Sequence, residues 1–122
     1  MAYCFHSVEG FSKIGAYLAN GSAYGPIIYL GFRPAWIMIK RIGSTDDWRI
    51  YDNKRSNYND KTATLYANWY LAEYTTAGAN EIETNANGFR IANNNAGYNS
   101  SNTESYLYIA FAEIPFKYAN AR

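Results

Sequence analysis

The sequence predicts an all-β fold, an antiparallel β-sandwich of jelly-roll or concanavalin-like type with at most one short helix. In WIMIKR (36–41) and WRIYD (48–52), bulky β-forming residues follow a period of two, as in a strand with one buried face. Clusters of Gly, Asn, Asp and Ser interrupt such runs about every ten residues, which is typical of short strands joined by turns. Alternating strand and helix units, which would predict a doubly wound sheet, are absent.

Each strand is expected where a β-rich run lies between two turn clusters. We expect strands near residues 2–9, 12–18, 26–32, 34–42, 47–53, 63–71, 80–84, 87–93 and 104–114. Turns and loops are expected at GSTDD (43–47), NKRSNYNDKT (53–62), NANG (85–88, with Gly88 free to take a positive φ) and NNNAGYNSSN (93–102). A helix at 66–77 is conceivable, although its apolar residues form no clean helical stripe.

The predicted core belongs to a single domain. A chain of 122 residues with 48 % apolar residues is long enough to bury a core without disulfides. Alternation places Trp36 and Met38 on one face of their strand, and Ile37 and Ile39 on the other. We expect these residues to mark the core strands: Trp36, Ile37, Ile39, Phe89, Ile91, Ile109 and Phe111.

Charge and hydropathy exclude two classes of partner. The net charge is +1, whereas a nucleic-acid-binding protein usually carries a large basic excess. No apolar run reaches the roughly 18 residues of a membrane-spanning helix. We therefore expect no nucleic-acid partner and no membrane insertion.

The reactive side chains do not form a recognisable catalytic or metal site. Cys4 and His6 share a strand face but are too far apart for a good thiol–imidazole hydrogen bond, so we expect Cys4 in the core and His6 as a structural or rim residue. Two such ligands cannot hold zinc. Acidic residues lack the spacing of a calcium loop (Asp46, Asp47, Asp52, Asp60) or of a catalytic pair (Glu73, Glu81, Glu83, Glu104, Glu113). Glu81 and Glu83 fit a solvated strand edge. We expect no enzyme activity, metal or cofactor.

The surplus of aromatic residues indicates binding. Aromatics are 18 % of the chain, and many lie beside Asn, Asp and Arg. Aromatic rings cover the apolar face of a sugar while polar side chains meet its hydroxyls, and the same composition forms protein–protein interfaces. The candidate binding residues are Trp48, Arg49, Tyr51, Arg55, Tyr58, Trp69, Tyr70 and Tyr98.

The two ends of the chain resemble each other. In AYCFHSV (2–8) and YIAFAEI (108–114), Phe5 and Val8 match Phe111 and Ile114. Two core strands in similar environments would explain this, and so would one register of a repeating array. The abrupt strand-like start suggests a fragment of a longer chain, or a subunit whose ends are fixed by neighbours. We expect the chain to work in an assembly.

Several runs resemble a known family: YCFHSVEGFSKIGAY, GPIIYLGFRPAWIMIKR, DDWRIYDNKR, NGFRIANNN and YLYIAFAEIPFKYANAR. They are similar to a module of unknown function in tail-fibre-like and other virion structural proteins of tailed bacteriophages, often next to concanavalin-like lectin domains. The resemblance brings no catalytic residues.

The resemblance implies a non-catalytic structural or adhesive module of the virion, assembled in the host cytoplasm and exposed outside the cell. Its partners would be further copies of the chain, other virion proteins or a host-surface glycan. Two alternatives stay open, a carbohydrate-binding module for host-surface glycans and a subunit of another extracellular filament.

Overall fold

Two antiparallel sheets make up the fold. The computed structural model describes residues 1–56, 60–75, 81–101 and 103–114. The large sheet has the strand order β1 (Ser12–Leu18), β10 (Ser105–Ala112), β3 (Pro34–Arg41), β4 (Arg49–Asp52), β6 (Ala63–Tyr66) and β7 (Tyr74–Thr75). The small sheet has the order β2 (Ile27–Tyr29), β9 (Gly88–Ile91), β8 (Ile82–Asn85) and β5 (Asp60–Lys61). One short helix, α1 (Ala96–Asn99), lies between β9 and β10.

The core lies between the inner faces of the two sheets. Ile37 and Ile39 from the large sheet and Phe89 and Ile91 from the small sheet belong to one buried cluster. The rings of Phe89 and Tyr108 meet edge to face across it, with centroids 5.7 Å apart. These contacts confirm the predicted antiparallel β-sandwich.

The alternation predicted for β3 is confirmed, and β4 follows the same alternation. Met38 lies opposite Ile50 and Ile37 opposite Tyr51. Ile37 is buried while Met38 is half-buried, because successive side chains point to opposite faces. Five predicted core residues are buried: Ile37, Ile39, Phe89, Ile91 and Ile109.

The placement of Trp36 and Phe111 in the core is wrong. Both are half-buried on the outer face of the large sheet. The ring of Phe111 contacts Trp36 at 5.6 Å, Phe11 at 6.0 Å and Phe5 at 6.3 Å between centroids. The period of two identifies the two faces of a strand, but it does not say which face the second sheet covers.

This position gives a first prediction. Phe111→Ala is expected to lower the free energy of unfolding by about 1–3 kcal/mol, less than the roughly 3–5 kcal/mol of a fully enclosed Phe. The smaller cost is expected because the ring is only half-buried in the folded protein. Urea denaturation of dilute protein measures it, with the exposed Tyr24→Ala as a near-neutral control. A cost of 3–5 kcal/mol would show that the outer face is covered in solution.

The predicted first strand at 2–9 is also wrong. Residues 1–7 are exposed and form no strand; we call them the N-terminal arm. The backbone pairing nearest to the arm is a single bridge between Val8, the residue after it, and Ser12 of β1. Cys4, expected in the core, is therefore exposed. The arm has strand-like sequence, but a strand also needs a partner for its backbone groups.

Three predictions outside the strands need correction: the φ of Gly88, the helix considered for 66–77 and the loop at 93–102. The turn at 85–88 is confirmed, but Gly88 is not among the glycines with positive φ; instead, a Cβ there would overlap the carbonyl oxygen of Ile28 in β2. The helix considered for 66–77 does not form in the described part: Tyr66 ends β6, residues 67–73 form a loop, and Tyr74–Thr75 form β7. Residues 76–77 lie outside the described residues. The helix that does form, α1, lies in the predicted loop 93–102.

Candidate functional site

An exposed aromatic loop leaves the edge of the large sheet. We call residues 66–74 the aromatic loop; it runs from the end of β6 to the start of β7. Trp69 is 46 % exposed and Tyr70 is 91 % exposed, and Leu71 and Tyr74 are also exposed. The ring of Trp69 meets those of Tyr66 and Tyr70 edge to face, at 5.8 and 6.3 Å between centroids. The loop thus presents several ring surfaces to solvent.

The first half of the loop is attached to the residues before β4. The amide of Trp48 donates to Asn68 Oδ1 (2.9 Å), and Asn68 Nδ2 donates to Asp47 Oδ1 (3.0 Å). The Ala67 amide donates to the Trp48 carbonyl oxygen (3.0 Å). Asn68 therefore fixes the chain next to Trp69.

An ion-pair network holds the other end of the loop. Arg55 Nη1 lies 2.7 Å from Glu73 Oε2, and Arg55 Nε donates to Asp52 Oδ2. Burial alone would raise the pKa of the Asp52 carboxyl, but hydrogen bonds from Arg55 and from the Lys54 amide outweigh it, so the pKa is lowered. Arg55 stays bound to Asp52 at neutral pH and connects the loop to β4.

A sandwiched arginine lies next to the loop. The guanidinium carbon of Arg49 is 5.3 Å from the ring centre of Tyr66 and 5.6 Å from that of Tyr98, and Nη1 donates to the Tyr66 hydroxyl (3.3 Å). Burial tends to lower the pKa of Arg49, but the nearby Tyr51 and Tyr66 outweigh it and the pKa is raised. The absence of a side chain at Gly97 leaves room for this guanidinium.

A buried polar cluster continues from Arg49 into the interior. It contains Tyr51, Thr64 and Glu81, all buried, and the Thr64 hydroxyl donates to Glu81 Oε2. Burial raises the pKa of the Tyr51 and Tyr98 phenols, and the charge of Glu81 adds to this effect. The interpretation of Glu81 as a solvated edge residue is wrong.

The helix α1 accounts for the interior position of Tyr98. Asn95 caps the helix by accepting the Gly97 amide at 2.8 Å. The buried Asn99 donates from Nδ2 to Asn20 Oδ1 (3.1 Å), and its Oδ1 accepts the Asn20 amide (2.9 Å). The Tyr98 carbonyl accepts the Tyr17 hydroxyl at 2.6 Å. These bonds turn an Asn-rich segment inward.

The predicted binding residues therefore separate into groups. Trp69 and Tyr70 lie together on the surface. Trp48, Arg49 and Arg55 contact other residues of the loop and hold it in place. The placement of two residues on a binding surface is wrong, because Tyr51 and Tyr98 are buried. Tyr58 lies outside the described residues.

Sequence reasoning missed four loop residues: Tyr66, Asn68, Leu71 and Tyr74. The run WYL between Asn68 and Glu73 was the available signal. It was included in a predicted strand, and a strand would have buried one of its faces.

The chemistry offered by the loop is that of ring surfaces beside amide, carboxylate and guanidinium groups. Among the described residues, no group of three or more His, Cys, Asp or Glu side chains could hold a metal ion. No helix within the same ranges is long and apolar enough to cross a membrane.

Comparisons with known proteins identify a family whose function is unknown. Neither the curated proteins nor the solved structures give a match. A family model described as a domain of unknown function, DUF7483, matches residues 1–115, and the chain belongs to this family.

Proposed function

We propose that this chain is a non-catalytic structural or adhesive module of a virion, and that it holds other molecules through the aromatic loop. The observation that carries the proposal is the exposed Trp69 and Tyr70 pair on a loop fixed by Asn68 at one end and by Arg55 and Glu73 at the other. The virion setting is supported by the resemblance of the sequence to modules of tail-fibre-like proteins.

The fixed ends favour adhesion for an energetic reason. Rings that are already ordered lose little conformational entropy on binding, whereas a floppy loop would have to be immobilised first. Trp and Tyr also dominate the energetics of protein interfaces, because one ring removes a large apolar area from water.

Carbohydrate binding is a second candidate, favoured by the ring geometry. The rings of Trp69 and Tyr70 are inclined by 86°, so they offer faces in two directions to a branched or bent chain of sugars. A pyranose stacks its C–H face on such a ring, and its hydroxyls need polar partners at the rim. Asn68 and Glu73 flank the rings in sequence, and each side chain can form further hydrogen bonds besides those that fix the loop.

Binding to immobilised glycans tests the role of the loop. Trp69→Ala is expected to weaken binding by about tenfold or more, equivalent to roughly 1.4 kcal/mol for a lost ring contact. Tyr24→Ala is the matched control, since this ring is exposed and lies over Arg90 on the small sheet. Equal binding by wild type and Trp69→Ala would contradict the role of the loop, and release of reducing sugar would contradict the absence of catalysis.

Immunogold electron microscopy tests the virion setting. An antibody raised against the chain is expected to label virus particles in a lysate of the source culture. Label confined to filaments on cells would favour the alternative of an extracellular filament subunit. Absence of retention on every glycan would overturn the carbohydrate candidate.

A further inference from the structure

The edge strand β1 has backbone groups beyond Ile14 that meet no hydrogen-bond partner among the described residues. It pairs with β10 on one side, and on the other side the described residues give it the single bridge between Val8 and Ser12. The Ser7 hydroxyl accepts the Ile14 amide at 3.0 Å and donates to the Ile14 carbonyl at 3.4 Å, so the backbone groups of Ile14 point away from β10. Those of Ala16 and Leu18 point the same way, because the direction alternates along a strand.

The N-terminal arm is a strand-like segment without a strand partner. Tyr3 is 80 % exposed and Phe5 is 58 % exposed, and they alternate with the smaller Ala2 and Cys4. Aromatic residues at every second position favour an extended strand over a helix or a solvated coil. The arm and the β1 edge could therefore each provide the backbone hydrogen-bond partners that the other lacks.

The bridge between Val8 and Ser12 sets a register between the arm and β1. Continued along both segments, it places Cys4 opposite Ala16 and Ala2 opposite Leu18. Phe5 falls opposite Gly15, whose position is covered by the Tyr108 side chain: a Cβ at Gly15 would lie 2.7 Å from the Tyr108 hydroxyl oxygen. In this register the Phe5 ring therefore lies next to the Tyr108 ring.

Within a single chain this pairing stops after its first residue pair. The Ser7 hydroxyl occupies both outward groups of Ile14, and the Ser12 hydroxyl binds the His6 carbonyl oxygen at 3.1 Å. Phe5 is turned over the outer face, where its ring contacts Phe111. The arm leads away from the edge that it could cover.

We propose that the arm is an exchanged strand: in an assembly of this chain, residues 2–7 of one copy pair with the β1 edge of a second copy. The exchange uses the register set by the bridge. It requires that the turn at 8–12 opens and that the contacts of Ser7 with Ile14 and of Phe5 with Phe111 are released. Exchange of an identical segment between two copies is a low-cost route to a symmetric dimer. This inference goes beyond the proposed function and specifies the assembly that the sequence predicts, and the aromatic loop takes no part in it.

Charge and size are compatible with a second copy as the partner. Residues 2–7 contain no Asp, Glu, Lys or Arg, so Lys13 on β1 has no like charge to repel in the arm. Reciprocal exchange buries roughly a dozen residues a side, against about 20–30 in a standard interface. The association is therefore weak and depends on protein concentration.

Cysteine cross-linking of the full chain tests the exchange. Ala16→Cys places a second thiol opposite Cys4 in the proposed register, at an exposed site where the small change preserves the fold. After treatment with a short thiol cross-linker, a covalent dimer is expected on a denaturing gel. Its yield should be about tenfold higher than for wild type or for Tyr24→Cys, because pairing raises the effective concentration of the two thiols.

Each other outcome overturns the proposal. A cross-linked monomer would show that the arm closes on its own β1 strand, and a yield equal to that of Tyr24→Cys would show that the arm does not pair. Trp69→Ala, added to Ala16→Cys, must leave the dimer yield unchanged. Failure of the exchange is thereby distinguished from failure of the loop to bind, which the glycan experiment measures.

Discussion

Above about pH 10 the protein is expected to unfold steeply, because its core is rich in tyrosine. Burial is the largest cause of a raised phenol pKa at five positions: Tyr17, Tyr51, Tyr98, Tyr106 and Tyr108. An unperturbed phenol titrates near pH 10, so these side chains stay neutral in the folded state at a pH where they ionise in the unfolded chain.

The direction of the effect follows from proton linkage. The folded-state pKa values lie above the unfolded ones. The neutral phenols therefore contribute their full stability to the fold below about pH 10, and this contribution is lost as the pH rises through the folded-state pKa values. Each such phenol lowers the free energy of unfolding by about 1.4 kcal/mol per pH unit in that window. Urea denaturation between pH 7 and pH 12, followed by circular dichroism, measures the slope.

Tyr108→Phe is the matched variant for this prediction. It removes one phenol and keeps the ring that packs against Phe89. The slope of the free energy of unfolding against pH is expected to decrease above pH 10 by the contribution of one proton. At pH 7 the free energy of unfolding is expected to change less than it does above pH 10. A free energy of unfolding that is independent of pH from 9 to 12 would mean that the tyrosines ionise equally in both states.

Glu81→Gln is expected to lower the free energy of unfolding by about 3–5 kcal/mol. The substitution keeps the shape and an oxygen that can accept the Thr64 hydroxyl, but it removes a negative charge from a buried site. Arg49 beside it then loses a countercharge that offsets its desolvation. A charge left buried without compensation costs several kcal/mol.

Glu83→Gln provides the control for Glu81. Glu83 also pairs with an arginine, Arg90, but both side chains of that pair are partly exposed. A solvated pair of this kind contributes at most about 1 kcal/mol. Equal costs for the two substitutions in urea denaturation at pH 7 would show that the interior cluster is solvated.

Much of the sheet structure could be predicted from the sequence. β1 has the predicted bounds, and β3, β4, β9 and β10 lie within predicted ranges. These strands have alternating apolar residues bounded by Gly, Asn or Asp. Such a pattern is formed by residues adjacent in the chain, so it can be recognised in the sequence. The two-residue strands β5 and β7 were missed, because so few residues cannot show a period.

The candidate site could be predicted only in part. Trp69 and Tyr70 were identified by composition, and the loop that presents them is formed by residues close to them in the chain. Tyr51 and Tyr98 have the same composition, yet they are buried, because α1 and β4 place them between the sheets. A tyrosine has both an apolar ring and a polar hydroxyl, so its sequence neighbours do not determine which environment it occupies.

The sequence by itself therefore determined the fold class, the two faces of the central hairpin and the aromatic character of the surface, since these follow from backbone period and local turn chemistry. The tertiary structure alone decided which face is core, that Glu81 is buried, and that the strand-like arm forms no strand. These three depend on partners far away in the sequence. A side chain is buried, and a strand is paired, only where another part of the chain meets it.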